Sequence, residues 1–368
     1  MKTCLVLGAG FSKSVAGLPV TQEMINKFKS IIEEQEALGH RNRVGWGNQI
    51  MEFINSLENE FLIKPYARAS KGGKILKSNY SENFEAICSL IDLNISFEVD
   101  ARSESNGETS DLSGKPLFIN YTTPELRALR SYIGTYLYLS LINYSANQSY
   151  LELFNSHFST GISSIVSFNY DLVLEKYLFE KKRWYPKDGY GFEISNLPKI
   201  NPDFQNVKSD FEILKLHGSL NWEVDKIFHP IVELEWCDDN THYFFPGYLL
   251  EEKKRGFIYQ GGVSSGGWLL PSWIKQFEYD ELIQVWRKAS IALNDADQIY
   301  FIGYSLPRAD TSVYAMFTGI DFSQKKVVVI DPNTDELMEN YSRIICNSNI
   351  EFVKLKLEDY LLKYSQGK

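Results

Sequence analysis

Short unbroken apolar runs punctuate the chain at Thr3–Leu7, Ser164–Phe168, Ile213–Leu216, Gln298–Ile302 and Lys326–Ile330. Runs of this length predict strands buried on both faces, and several are followed by helical periodicity. The pattern therefore predicts an α/β fold with a parallel sheet and helices on both faces. Two of the helical stretches are plainly amphipathic. One, from about Pro124 to Tyr144, aligns Leu126, Leu129, Ile133, Leu137, Leu141 and Tyr144. The other, from about Tyr279 to Leu293, aligns Leu282, Val285, Trp286, Ala289 and Leu293. Both stripes are expected in the core.

The stretch between the first strand unit and Ser164 is too long for a single crossover and is largely helical in pattern, which predicts a helical module inserted into the sheet fold. The expected division is a core of residues 1–34, 160–222 and 265–368, an inserted helical module at 35–159, and a small irregular lobe at 223–264. Within the module, Asp100 to Lys115 is polar and glycine-bearing and reads as a mobile loop or a disordered excursion. Arg183 to Asp210 and Val224 to Gly267 are rich in aromatics, glycine and proline and are assigned to the lobe, whose aromatic surface is a candidate interface. No internal repeat is present.

With 368 residues, 44% of them hydrophobic, the chain can bury a large core. A net charge of −9 argues against a broad basic surface, so no direct nucleic-acid binding is expected. No apolar run reaches the roughly 18 to 20 residues of a membrane span, and the chain opens on a core-type strand in place of a cleavable signal, so a cytoplasmic protein is expected. The four cysteines, Cys4, Cys88, Cys237 and Cys346, are scattered without a C-x-x-C pair. They predict no zinc ribbon and no disulfide framework, and Cys4 and Cys88 read as core residues.

Candidate chemistry collects at the predicted strand ends, where open parallel sheets bind ligands. The first strand runs into Gly8-Ala9-Gly10-Phe11-Ser12, a turn whose amides, with the positive end of the following helix, can approach a pyrophosphate. Lys13 stands where the dinucleotide fingerprint has its third glycine, and a simple tight turn is the competing explanation. Downstream follow Ser167-Phe-Asn169-Tyr-Asp171, Lys215-Leu-His217-Gly218-Ser219-Leu-Asn-Trp222, Gly303-Tyr304-Ser305-Leu306-Pro307 with Asp310, and Val328-Val-Ile330-Asp331-Pro332-Asn333.

Asn169 offers a donor and an acceptor to a ribose hydroxyl or a water, or caps a helix starting near Tyr170; Asp171 suits that capping role better. His217, between a strand and a glycine, is placed to enter a cleft as a base, with a purely structural histidine as the alternative. His40, His157, His229 and His242 read as surface or packing residues. Gly303 and Ser305 can bring donors to phosphate or ribose, or Ser305 caps the next helix. Asp331 suits an adenosine-ribose hydroxyl. Trp222, Trp268 and Trp273 read as packing of the small lobe, with stacking on a cofactor as the alternative.

Taken in order, these motifs resemble the sirtuin family, and more closely its bacterial sirtuin-like branch that hydrolyses NAD in anti-phage defence. The resemblance spans most of the chain and is weak over residues 35–160 and 225–262. It implies a Rossmann-like NAD-binding core with NAD as substrate. Asn169 and the His217-Gly218 pair would be catalytic, and Gly8, Ala9, Gly10, Phe11, Ser12, Asp171, Gly303, Tyr304, Ser305, Asp310 and Asp331 would bind the nucleotide. Leu269-Leu-Pro271-Ser-Trp273 also resembles a segment of the bacterial branch. Four departures matter. The two cysteine pairs of a structural zinc are missing, as is the segment that clamps an acyl-lysine peptide, so no zinc is expected and deacylation is disfavoured. Phe168 replaces a polar residue on the nicotinamide side, which leaves hydrolysis, base exchange and cyclisation open. The family often has Asn where this chain has Asp331.

Cleavage of the nicotinamide glycosidic bond passes through an oxocarbenium-like state, so such a site must hold the ribose and place an attacking water. The expectation is an NAD glycohydrolase releasing nicotinamide and ADP-ribose in abortive infection. It would self-associate and be gated by a separately encoded partner, as relatives of this size are by a HerA-type ATPase or a short Argonaute. The alternatives are a module that senses NAD or ADP-ribose without turnover and, further off, a lysine deacylase with an unusual acyl pocket.

Overall fold

The computed structural model describes residues 1–59, 84–104, 121, 123–142, 144–158, 161–192, 208–225, 232–234, 264–272, 280–307, 310–345 and 350–365. It divides into two compact units: Met1–Leu18 with Leu141–Leu269 and Lys275–Lys368, and Pro19–Ser140 with Leu270–Ile274.

The first unit is built on strands β1 (Thr3–Leu7), β2 (Ile162–Ser167), β3 (Glu212–Lys215), β7 (Gln298–Ile302), β8 (Lys326–Ile330) and β9 (Ile350–Val353). They form one sheet in the order β3-β2-β1-β7-β8-β9, every pair parallel. Counted along the chain this is the 3-2-1-4-5-6 order of a Rossmann-like sheet, with its reversal between β1 and β7. The central strand Thr-Cys-Leu-Val-Leu is buried along its whole length, as an apolar run covered on both faces must be.

Helices of this unit are α1 (Ala9–Ala16), α6 (Gln148–His157), α7 (Val173–Glu180), the single turn α8 (Pro186–Gly189), α9 (Asp280–Asp295), α10 (Thr311–Thr318), α11 (Thr334–Ile344) and α12 (Leu357–Ser365). α9 lies against β2 and β3, α11 against β9, and α12 against α1 and α6. α1 stops at Gly17, whose φ of 66° supplies the left-handed cap that ends many helices.

A second, three-stranded antiparallel sheet, in the order β5-β4-β6, consists of β4 (Gly218–Asp225), β5 (Val232–Leu234) and β6 (Ser264–Trp268). The described part of the lobe is thus regular where the sequence reading expected irregular chain. Ser-Ser-Gly-Gly-Trp carries almost no strand propensity, and pairing with β4 imposes the conformation. Trp222 is fully buried in this region, edge-on to Tyr190 and Phe192 with ring centroids 5.1 and 4.9 Å away.

The second unit holds a 3-10 turn (Thr21–Glu23) and helices α2 (Met24–Ala37), α3 (Arg41–Asn59), α4 (Phe84–Glu104) and most of α5 (Thr123–Ile142). Phe28 is its centre, edge-on to Phe84 and Tyr136 at 5.4 Å each. The Tyr136 hydroxyl donates to the Arg43 carbonyl at 2.8 Å.

The expected helix stripes are buried at Leu126, Leu129, Ile133, Leu137 and Leu141, and at Leu282, Val285, Ala289 and Leu293. Tyr144 instead lies past the end of α5, and Trp286 is half-buried. The expected loop from Asp100 begins later, because α4 runs through Glu104. Trp273, Cys237, Cys346, His229, His242 and residues 105–115 lie outside the described residues. Among the described residues, no helix is long and apolar enough to cross a membrane, and no group of three His, Cys, Asp or Glu is arranged to hold a metal.

Candidate functional site

At the sheet reversal the turns after β1 and β7 close on each other through main chain. The Gly8 N–H donates to the Ile302 carbonyl at 3.1 Å, and the Gly10 N–H to the Gly303 carbonyl at 2.9 Å. A methyl group on Gly8 would sit 2.5 Å from the Gly303 carbonyl oxygen, and one on Gly303 2.5 Å from the Gly10 carbonyl carbon, so neither position has room for a side chain. Gly303 also has φ +58°. These glycines are required by the approach of two backbones, and the Gly10 and Phe11 amides already have protein acceptors, the latter in the Gly8 carbonyl. Lys13, at the position of the missing fingerprint glycine, is exposed. Phe11 is a core residue, edge-on to Phe154 at 5.0 Å, and Ala9 is half-buried at the start of α1.

Beside this turn lies Asn169, 8% exposed, just past the end of β2. Its Nδ2 donates to the Gly8 carbonyl at 2.9 Å and to Ser12 Oγ at 3.0 Å. A carbonyl can only accept, so the contact with Gly8 fixes which end of the amide is which. Both amide hydrogens are thereby used, and among the described residues no hydrogen bond takes its Oδ1. Asn169 does not cap the next helix: α7 starts at Val173, and Asp171 Oδ1 accepts the Val173 N–H at 3.1 Å.

His217 follows β3, is 8% exposed, and places Nε2 3.1 Å from Asp310 Oδ2. Asp310 stands at the N-terminus of α10 but its side chain makes no cap bond there. An ionised carboxylate only accepts, so Nε2 carries the proton, and in the neutral ring the lone pair lies on Nδ1. Phe168 stands edge-on to the imidazole at 5.3 Å and stacks on Tyr304 at 4.0 Å, while Tyr170 flanks His217 at 5.7 Å. Gly218 takes φ +80°, so the His-Gly pair has a backbone cause as well as a chemical one. The His217 carbonyl accepts from Leu269 N–H at 2.8 Å, and the Leu216 carbonyl from Trp286 Nε1 at 2.8 Å.

The outer residues are spread more widely. Ser305 is exposed and does not cap α10, which begins six residues later at Thr311. Leu306 is buried with φ +46°, a strained value for a residue with a side chain. Asp331, at the end of β8, accepts the Asn333 N–H at 2.8 Å, and burial pushes its carboxyl above the usual range.

Sequence reasoning assigned no role to Lys215 and did not single out Glu175. Lys215 Nζ lies 2.6 Å from Glu175 Oε1, 2.5 Å from the Asp171 carbonyl and 3.3 Å from the Tyr170 carbonyl. Burial pushes the Glu175 carboxyl up against the pull of Lys215. The available signal was a lone cation closing the otherwise apolar run Ile-Leu-Lys.

No protein-family model and no curated protein matches this sequence. Solved structures similar to it include "Structural Basis for the Mechanism and Regulation of Sir2 Enzymes", with 12% identity, TM-score 0.41, and 99% of this chain and 91% of that one covered. "Sir2-p53 peptide-NAD+" is similar at 11% identity and TM-score 0.39, covering 100% and 92%. "Sir2 bound to acetylated peptide" is similar at 10% identity and TM-score 0.39, with the same coverage. At such low scores the likeness is loose, and the Rossmann-like assignment stands on the strand order of the sheet itself.

Proposed function

We propose that this chain is an NAD glycohydrolase that cleaves the bond between nicotinamide and the ribose C1′ by water, yielding nicotinamide, ADP-ribose and a proton. The observation that carries it is the constellation at the sheet reversal: an Asn169 amide with both hydrogens committed and its carbonyl oxygen without a described partner, beside a His217–Asp310 pair. In this reading Asn169 Oδ1 takes the ribose hydroxyl or the attacking water. His217, held by Asp310, acts as the base or activates a hydroxyl, and Phe168 and Tyr304 wall the nicotinamide side. The positive end of α1 faces the pyrophosphate at the Gly8–Ser12 turn. Gly303, Tyr304, Ser305 and Asp331 complete the nucleotide contacts. Asp171 is included as a nucleotide contact, although its Oδ1 accepts a helix-start amide.

The ordered motifs described above support placement beside the bacterial sirtuin-like branch. With them come the further parts of the proposal: the division at 1–34, 160–222 and 265–368 around a helical module and a lobe, a cytoplasmic site of action, self-association, gating by a partner such as a HerA-type ATPase or a short Argonaute, and a role in antiviral defence by NAD depletion.

The test is nicotinamide release from NAD by wild type, Asn169→Ala and His217→Ala, alone and with proteins encoded beside it. Release by wild type that both substitutions abolish is the expected result. NAD binding without release under every condition overturns it in favour of a sensing module.

A further inference from the structure

Lys215 and Glu175 are 1% and 3% exposed, deeper than any residue assigned to catalysis. An ammonium has three donors, and this one meets three acceptors: Glu175 Oε1, the Asp171 carbonyl and the Tyr170 carbonyl. Tyr170 and Asp171 directly follow Asn169. The amides of that turn are held elsewhere, Phe168 N–H by the Leu7 carbonyl and Asn169 N–H by Ser167 Oγ. The Tyr170 carbonyl has a second donor in Leu220 N–H, but among the described residues Lys215 supplies the only hydrogen bond to the Asp171 carbonyl. Lys215 also stands two residues before His217, at the end of β3.

Stability gives no reason for this arrangement. A buried ion pair is generally no more stabilising than an apolar pair of the same volume, since both charges give up water. What an apolar pair cannot do is grip two carbonyls.

We propose that Lys215, anchored by Glu175, is a positioning residue: one buried ammonium ties the end of β3 to the Tyr170–Asp171 turn and so sets Asn169 and His217 in their mutual register. The catalytic part of this inference rests on the NAD-cleaving reading; the clamp itself does not. A misplacement of about 1 Å at a reacting group can cost on the order of 10²-fold in rate.

The test uses the full chain and the volume-matched double substitution Lys215→Met/Glu175→Leu, which removes both charges together. Two quantities are read on folded protein: hydrogen exchange of the peptide spanning residues 168–173, and nicotinamide release resolved into kcat and KM. The expected result is exchange in that peptide faster by about tenfold or more with the rest of the sheet unchanged. Turnover is expected to be lower by about 10²-fold in kcat, with KM within about threefold. Unchanged exchange, or unchanged turnover in an active protein, overturns the proposal. Glu175→Gln is the second variant and decides the matter if the double substitution does not fold. It keeps an acceptor for Lys215 and both carbonyl bonds, so near-wild-type exchange and turnover are expected, and a loss as deep as that on removing His217 overturns the clamp. If wild type itself releases no nicotinamide, the NAD-cleaving reading falls, and exchange at 168–173 alone then upholds or overturns the clamp.

Discussion

Asp310 and His217 are 93 residues apart in sequence and meet at 3.1 Å. The carboxylate fixes the imidazole tautomer and supports positive charge on the ring, so Asp310→Asn is expected to lower kcat for nicotinamide release by about 10- to 10²-fold while leaving NAD affinity nearly unchanged. Steady-state kinetics with a separate binding titration checks this. Cys4 offers a second, independent test. It is wholly buried, and burial pushes its thiol up to about 12 from an ordinary 9.0. The folded protein therefore keeps this proton where the unfolded chain loses it. The associated stability is fully present below pH 9.0 and is lost at about 1.4 kcal/mol per pH unit as pH rises from 9.0 towards 12. Denaturant titrations from pH 8 to 11 should show a shallower decline for Cys4→Ala than for wild type, and thiol reagents at pH 8 should reach Cys4 only on unfolding.

At the scale of elements, the contact between the β1 and β7 turns is the tightest constraint on the site. Gly303→Ala places a methyl 2.5 Å from the Gly10 carbonyl carbon, at a φ of +58°. Neither backbone can yield without moving Gly8, whose carbonyl orients Asn169. The substitution is expected to cost about 1 to 3 kcal/mol and to lower turnover with it, read as a reduced denaturation midpoint at constant slope and in the nicotinamide assay. The elements themselves differ in how plainly the sequence announces them. Thr3–Leu7, Gln298–Ile302 and Lys326–Ile330 are strands at those same residues, because a central parallel strand must be apolar on both faces. Ile350–Val353 went unrecognised: it is an edge strand, only half-buried, and Ile-Glu-Phe-Val is too short and mixed to stand out. Ser264–Trp268 went unrecognised because its pairing with β4, and not its own composition, makes it a strand.

For the whole molecule, the proposed nucleotide site predicts linkage between ligand and stability. In His217→Ala, which should bind NAD without consuming it, NAD at 100 times its dissociation constant should stabilise the protein by about 2.7 kcal/mol, seen as a concentration-dependent rise in melting temperature. No rise at any concentration would remove the nucleotide site. The sequence by itself determined the apolar central strands and most of the core faces of two helices, that these alternate as a parallel α/β sheet requires, and that chemically capable residues stand where strands end. Those are consequences of local patterning, since hydrophobic period and turn chemistry act over a few neighbouring residues. Only the tertiary structure decided who meets whom: Gly10 with Gly303, Asn169 with Ser12, His217 with Asp310, and Lys215 with Glu175 and the turn behind Asn169. Each of these pairings spans at least 40 residues, and what closes it is the order of strands in the sheet, a property of the assembled core that no local window contains.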